Sequence, residues 1–370
     1  MTGIVKYLRD PQVFPRILES TDKAVGLIHP IQERRLHIGS LHLPDSVVGA
    51  TLLVLLPAVA ILPVPRAQSA SYPEKPIRLI VPFSAGGSAD NLARVMQSAW
   101  STALGASLVI DNRAGASSII GTDIAAKAPP DGYTILLITT TYSTNVSLTR
   151  KLPFDPVKDF STVSLVASQP NLLGVHPAVA ASTVKELVAL AKSKPKAFNF
   201  ASGGSGSSPH LAGELFNLVA GIQITHVPYK GTGPAAVDLI AGQVQMMFAG
   251  PLLLEPHVRS GRVRALAIAD SRRTAVLPEI PTMAEAGVAG VESGTWYGIL
   301  APMAVSRGVV AKLNQTLVQT IKSPDVVARL VKQGVEIAAS SPEEFQRHLT
   351  AEIAKWAKVI KQANIRADSL

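Results

Sequence analysis

Apolar runs and helical periodicities alternate along the chain from Ile77 onward. The segment IRLIVPF is a continuous apolar run typical of a buried strand, and SAGGSADNLARVMQSAWSTAL follows it with Leu92, Val95, Met96 and Ala99 at helical spacing. ASLVIDN and YTILLIT predict two more strands, with the helical segment IIGTDIAAKA between them. Strands that alternate with helices of this length indicate βαβ units, so the pattern predicts an α/β fold with a parallel sheet.

A second series of the same kind begins near Asn171. LLGV and FNFAS predict strands, and between them Thr183 and Glu186 form a capping-box pattern that opens the helix VKELVALAKSK. In GGSGSSPHLAGELFNLV we expect Ser208 to be the N-cap residue and Pro209 the first helical residue. VQMMFAG and RALAIAD predict further strands, TWYGILAP predicts a strand that returns to the first unit, and two or three helices complete the chain.

This order of elements predicts two lobes joined by two crossings. The crossings place a hinge near Ala167–Pro170 and near Gly290–Trp296, and two adjacent crossing strands permit closure around a ligand in the cleft. The expected boundaries are 71–168 with 292–370 for the first lobe and 169–291 for the second.

The segment before the first strand has the pattern of an export signal. VVGATLLVLLPAVAIL is an uncharged run that is shorter than the roughly 20 residues of a membrane-spanning helix. Ala67 and Ser69 satisfy the small-x-small rule, so we expect cleavage after Ser69 or Ala70 and assign residues 1–70 to an N-terminal extension and a signal peptide. Residues 1–33 exceed what a signal needs, and the alternative is an uncleaved membrane anchor. Either way we expect the rest of the chain outside the cytoplasm.

Composition removes several classes of function. The chain has no cysteine, which excludes disulfides and thiolate metal sites. Its 35 Lys and Arg against 26 Asp and Glu give a net charge of +9, but the charges are spread singly, without the basic stripe and interleaved aromatics of a nucleic-acid binder. A diffuse positive field of this kind favours an anionic ligand.

Two glycine-rich and hydroxyl-rich loops precede helix starts and are candidate anion sites. The first runs from Pro82 to Asp90 and the second from Ser202 to His210; backbone amides at a helix N-terminus bind anions. We expect Asp90 to cap the helix after the first loop and not to meet the ligand. The alternatives are a plain tight turn for the first loop and a structural hydrogen bond for His210. We expect TTTYS at Thr139–Ser143 to be a third cleft loop. The ligand-binding candidates are Phe83, Ser84, Gly86, Gly87, Ser88, Thr140, Ser143, Ser205, Ser208, His210, Tyr229 and Lys230. We also expect a bulky side chain at position 87 to block backbone approach and to force a disallowed φ.

Enzymatic motifs are missing. GGSGS differs from the nucleophile-elbow pattern G-x-S-x-G in its last residue, and neither glycine-rich nucleotide fingerprint is present. The eight histidines have no metal-ligand spacing, and no carboxylate pair is set apart for acid–base work. Lys230 in PYKG is expected to be solvated or to face the ligand. We therefore expect no catalysis, no metal and no cofactor.

Seven segments in series closely resemble the Bug-type, TctC-like receptors of tripartite tricarboxylate transporters. They are YPEKPIRLIVPFSAGGSADNLAR, DNRAGASSIIGT, PPDGYTILL, KLPFDPVKDF, SPHLAGELF, THVPYKG and LPEIPTMAEAG. The resemblance implies a two-lobed periplasmic-binding-protein fold of type II, a Venus flytrap, that binds a small carboxylate through the loop Phe83–Asp90 and the loops of the second lobe. It also implies membrane transporter subunits as partners. We expect a monomer.

Two departures from the family pattern bear on the ligand. The chain has Gly115-Ala116-Ser117-Ser118 where the family has GAGG, and it has Ala249 where the family has an acidic residue. We include Ala249 among the ligand-binding candidates, and a ligand-facing Ala249 predicts a carboxylate without an ammonium group; the alternative is that position 249 never meets the ligand. The alternative functions are a ligand sensor for a membrane signalling protein and a hydrolase or isomerase on the same fold.

Overall fold

The computed structural model describes residues 72–363 and residue 365. The expected signal peptide and cleavage site lie outside these residues. Within them, none of the helices combines the length and the apolar character that a membrane crossing requires.

Eleven strands and ten helices make up the described chain. The strands are β1 (Ile77–Val81), β2 (Leu108–Asn112), β3 (Thr134–Thr139), β4 (Phe160–Pro170), β5 (Leu172–Val175), β6 (Asn199–Ser202), β7 (Thr225–Pro228), β8 (Met246–Ala249), β9 (Arg264–Ile268), β10 (Gly294–Pro302) and β11 (Glu336–Ile337). The helices are α1 (Ser88–Leu104), α2 (Ile119–Ala126), α3 (Thr140–Leu148), α4 (Val184–Ser193), α5 (Ser208–Ala220), α6 (Thr232–Ile240), α7 (Pro251–Arg259), α8 (Arg307–Ile321), α9 (Pro324–Val331) and α10 (Pro342–Ala363).

The first lobe is built on a six-stranded sheet with the order β11-β4-β10-β3-β1-β2. β1 pairs in parallel with both β2 and β3, and β10 runs antiparallel to β3. Leu79 and Val81 pack into a core on one face, while Ile80 packs into a core on the other. Both faces are therefore buried, which is why β1 reads as a continuous apolar run instead of an alternating one.

The second lobe is built on a five-stranded sheet with the order β7-β6-β8-β5-β9. β6 pairs in parallel with β7 and β8, whereas β5 runs antiparallel to β8 and β9. Its strands also bury both faces: Phe248 lies in one apolar cluster, and its neighbours Met247 and Ala249 lie in another.

Two neighbouring strands connect the lobes. β4 and β10 pair antiparallel over their length, from Phe160 opposite Pro302 to Pro170 opposite Gly294. Beyond that pair the Asn171 N–H donates to the Ser293 carbonyl at 2.9 Å. The chain thus passes between the two sheets twice, at adjacent positions, which is the arrangement that allows hinge closure.

One expected helix start is wrong by one residue, and one segment expected as a loop is the start of a helix. Helix α5 has Ser207 as its N-cap residue, whose hydroxyl accepts the His210 N–H, and Ser208 is already helical. The segment expected as a third cleft loop is not a loop, because Thr139 ends β3 and caps α3 directly. Thr139 can end the strand and cap the helix, because threonine favours extended backbone and its hydroxyl also accepts a helix N–H.

The turn before α2 has an unusual backbone. Ala116, Ser117 and Ser118 have φ values of 44°, 49° and 76°, in the left-handed region that favours glycine. The Asn145 amide donates to the Ser117 carbonyl at 2.8 Å and holds this turn. The serines of GASS therefore occupy strained positions, at a cost of roughly 1–2 kcal/mol each.

Candidate functional site

Five helices begin at one place between the two lobes. Each follows the carboxyl end of a strand that pairs in parallel: β1 leads to α1 and β3 to α3 in the first lobe, and β6, β7 and β8 lead to α5, α6 and α7 in the second. Carboxyl ends of parallel strands meet at one edge of a sheet, so the chain order gathers the helix N-termini within each lobe, and the approach of the two lobes brings both sets together. The first N–H groups of a helix lack intrahelical partners, and its dipole is positive at that end.

A cavity of about 40 Å³ lies where these helices meet. Its lining is neutral and consists of hydroxyl groups, backbone and apolar side chains. Among the described residues that line it there is no Asp, Glu, Lys, Arg or His. The lining residues are Phe83, Gly87, Ser88, Ala89, Thr139, Thr141, Gly203, Ser207, Ser208, Pro209, Thr232, Gly250, Thr295 and Tyr297. Helix ends and hydroxyl donors without a compensating side-chain charge favour an anion in this space.

The loops of the two lobes touch directly at one side of the cavity. The Ser84 N–H and hydroxyl both donate to the Lys230 carbonyl at 2.9 Å, and the Ser88 N–H donates to the Thr232 hydroxyl at 3.1 Å. Cβ atoms built at Gly87 and Gly233 would lie 3.1 Å or less from atoms of the opposite lobe. The absence of side chains at these two glycines therefore lets the N-termini of α1 and α6 approach.

The lobes also meet on the other side of the cavity. The Thr144 hydroxyl on α3 donates to the Gly206 carbonyl at 2.7 Å. Leu211 of α5 packs against Trp356 and Ile360 of α10, which belongs to the first lobe. These contacts hold the cleft closed around the cavity.

Asp90 supports the first loop from behind. Its carboxylate accepts the Gly86 N–H at 2.9 Å and the Arg94 Nε–H at 2.8 Å, and Gly87 is the N-cap of α1. Burial alone would raise the pKa of Asp90, but the hydrogen bonds from Arg94 and Gly86 outweigh it and the pKa lies below its ordinary value. Asp90 is thus an ionised anchor for the loop, and the expectation that it caps the helix is wrong, because Gly87 is the N-cap residue and Asp90 lies within the first turn.

Four of the residues expected at the site line the cavity, namely Phe83, Gly87, Ser88 and Ser208. The remaining expected residues lie around it without lining it: Ser84, Gly86, Thr140, Ser143, Ser205, His210, Tyr229, Lys230 and Ala249. The φ of Gly87 is −83°, so the expectation of a disallowed φ at this position is wrong and only the close approach requires glycine.

Several of these surrounding residues have partners that hold the neighbouring loops. The buried His210 accepts the Gly206 N–H on Nδ1 at 3.0 Å and stacks on His226 with ring centroids 4.0 Å apart. The Tyr229 hydroxyl donates to Asp238, and burial together with this hydrogen bond raises its pKa to about 12. Lys230 meets the first lobe through its carbonyl, while its side chain is exposed.

Two further residues expected at the site make contacts within their own structural element or core instead of with the cavity. The Ser143 hydroxyl donates to the Thr140 carbonyl within α3, so it is turned into the helix. Ala249 is 1% exposed and packs in an apolar cluster of the second lobe with Leu172 and Met247. Its neighbour Gly250 lines the cavity in its place.

Four cavity residues lie outside the loops that the sequence marked as ligand sites, namely Thr232, Gly250, Thr295 and Tyr297. Thr295 and Tyr297 belong to the returning strand β10, and only the pairing of β10 with β3 and β4 places them at the cavity. Gly250 is the N-cap of α7 and precedes Pro251, and this strand end followed by a helix start is a signal from which its place could have been predicted.

Known proteins are similar to this chain in both fold and sequence. The model of the family described as "Tripartite tricarboxylate transporter family receptor" matches residues 92–365. The structure of the periplasmic binding protein BugD is similar to this chain with a TM-score of 0.78 and 34% identity, over 80% of this chain and 99% of BugD.

Two related structures contain small dicarboxylates. An R. palustris protein solved with adipate has a TM-score of 0.77 and 37% identity over 80% of this chain and 99% of its own. MatC from Rhodopseudomonas palustris with bound malate has a TM-score of 0.75 and 32% identity over 78% of this chain and all of its own. These neighbours share the two-lobed periplasmic-binding-protein fold. The chain therefore belongs to the tripartite tricarboxylate transporter receptor family, the TctC family, as a periplasmic solute-binding protein and not an enzyme.

Proposed function

We propose that this protein captures a small dicarboxylate in the cavity between its lobes and delivers it to the membrane subunits of a tripartite transporter. The observation that supports this most directly is the meeting of five helix N-termini at a cavity with a neutral lining. Each helix end contributes roughly 0.3–1 kcal/mol of attraction to an anion at an exposed site, and up to about 2 kcal/mol where it is partly buried. The adipate and malate of the related structures are anions of the class that this arrangement favours.

A thermal-shift and calorimetry series on the purified protein tests this function. Succinate, adipate, malate and citrate cover the class, and 1,6-hexanediol serves as the matched control for adipate because it has the same carbon chain without charges. We expect at least one dicarboxylate to raise the melting temperature, since a ligand at 100 times its Kd stabilises by about 2.7 kcal/mol. Binding of the diol as strongly as adipate, or of no carboxylate at all, would refute the proposal.

Delivery is tested separately by uptake. Cells that contain the matching membrane subunits should accumulate the labelled dicarboxylate only when this receptor is present. Uptake that is unchanged by deletion of the receptor gene would separate carboxylate capture from transport.

Export through a cleaved signal peptide is part of the same proposal. The uncharged run in residues 47–62 and the small residues Ala67 and Ser69 support processing between positions 69 and 71. We expect N-terminal sequencing of protein from a periplasmic extract to begin at Ala70 or Ser71. Periplasmic protein with an intact Met1 would contradict this.

A further inference from the structure

A buried amide and a buried phenol meet at the wall of the cavity on the two crossing strands. Gln169, near the end of β4, lies opposite Thr295 of β10, and its side chain reaches the diagonal neighbour Tyr297. Gln169 is 3% exposed and Tyr297 fully buried, but Tyr297 also lines the cavity. The two side chains therefore connect the hinge strands to the ligand space.

The orientation of the Gln169 amide is determined by a backbone group. The Leu252 N–H in the first turn of α7 donates to Gln169 Oε1 at 3.1 Å. A backbone N–H can only donate, so the atom facing it is the amide oxygen. The amide nitrogen then faces Tyr297, and because an NH₂ group only donates, the phenol oxygen accepts this hydrogen bond.

The phenol proton must therefore be donated elsewhere. Ser88 lies close enough to Tyr297 for its hydroxyl to lower the pKa of the phenol, and it also lines the cavity. If Ser88 accepts the phenol proton, its own proton is free to point into the cavity; if Ser88 donates, the phenol proton points there. An anion in the cavity favours the second arrangement, because its oxygen can accept the phenol proton while Ser88 donates to the phenol oxygen. Burial raises the pKa of Tyr297 well above its ordinary value, so the phenol keeps this proton.

We propose that Tyr297, oriented as a donor by Gln169, supplies a directed hydrogen bond to a ligand carboxylate in the cavity, with Gln169 as its positioning residue. This assignment rests on the proposed capture of a carboxylate. The hydrogen bonds that run from Leu252 through Gln169 to Tyr297 then determine ligand specificity, because they favour a ligand that presents an acceptor oxygen.

Gly250 provides the space for this arrangement. A Cβ atom built there would lie 2.0–2.3 Å from the amide atoms of Gln169, although the φ of −69° at Gly250 suits any residue. Glycine is thus required at position 250 because the Gln169 side chain occupies the space of a Cβ atom. Gly250→Ala should displace the amide and weaken binding in the same direction as loss of the Tyr297 hydroxyl.

The substitution Gln169→Glu tests the direction of the hydrogen bonds. An ionised carboxylate accepts from both Leu252 and Tyr297, so it draws the phenol proton away from the cavity without changing side-chain shape. Using the carboxylate that the wild-type protein binds most tightly among succinate, adipate, malate and citrate, we expect Kd to rise about 10- to 100-fold for Q169E and for Tyr297→Phe, the range of one hydrogen bond to a charged group. For Q169E, affinity should recover as pH falls and the introduced carboxyl group gains a proton with which to donate; the wild type should show no such step.

A double variant and a matched control separate this role from a structural one. In the Y297F background Q169E should add little, because the group that it reorients is gone. Gln245→Glu is the matched control, because the Gln245 amide oxygen also accepts a backbone N–H, from Asn199 at 2.9 Å. Gln245 does not line the cavity, so this substitution should leave Kd unchanged.

The outcomes distinguish the two proposals. If the wild-type protein binds none of the four carboxylates, the proposed function fails and this assignment fails with it. If the wild type binds but Q169E or Y297F binds equally well, or if the effects of the two substitutions simply add, the carboxylate receptor stands and the directed hydrogen bond is refuted.

Discussion

Replacing Gly87 with valine is expected to abolish dicarboxylate binding while the protein remains folded. A Cβ atom at this position would lie 3.0 Å from the Thr232 hydroxyl oxygen and 3.1 Å from the Gly233 backbone nitrogen, both on the opposite lobe. The two additional methyl groups of valine make closure impossible without displacing backbone. We expect a loss of at least about 100-fold in affinity by calorimetry, which corresponds to about 2.7 kcal/mol.

The fold should persist because the backbone of Gly87 is ordinary. Its φ of −83° and ψ of 172° lie in the extended region that valine prefers. Gly308→Val is the matched control, since a Cβ there meets nothing within 4 Å and φ is not positive. Gly233→Ala should reproduce the effect from the second lobe, where the Cβ would lie 2.7 Å from the Ala85 carbonyl oxygen. Unchanged affinity for Gly87→Val would show that α1 and α6 do not close on the ligand.

The second large effect is discrimination against amines. We expect succinate to bind at least about 100-fold more tightly than aspartate, which adds one ammonium group to the same carbon chain. A buried ammonium without a paired anion costs several kcal/mol of desolvation. The cavity offers it no carboxylate, because the described lining is neutral and Asp90 is engaged by Arg94 and Gly86.

The basis of this expectation differs from the one that the sequence suggested. Ala249 is not part of the lining, so the argument rests on the whole set of neutral residues and on the positive ends of five helices. Thr141→Asp places an anion in the lining and should reverse the preference, whereas Thr141→Asn, of similar size and without charge, should not. Calorimetry that finds aspartate bound as tightly as succinate by the wild-type protein would mean that another carboxylate faces the ligand.

Local patterns in the sequence were sufficient to predict the strands and helices and to locate two of the helix starts at the site. Apolar runs gave the buried strands, and the glycine-rich segments before α1 and α5 marked N-termini where anions bind, because propensities and capping patterns act over only a few residues. The predictions at Ser207 and Thr139 were wrong because neighbouring hydroxyl residues are chemically alike. Only the folded chain determines which of them caps the helix.

The sequence by itself determined an α/β fold with amide-rich loops before two helix starts, since these follow from periodicity, capping and composition, whereas the receptor function followed from the resemblance to a family. Only the tertiary structure decided which residues share the cavity. Gln169 and Tyr297 are 128 positions apart and meet through the pairing of β4 with β10, Gly250 reaches the site as the end of β8, and Ala249 is turned away by the alternation of the same strand. Strand register and the approach of two lobes are set by long-range packing, and no local pattern of residues encodes them.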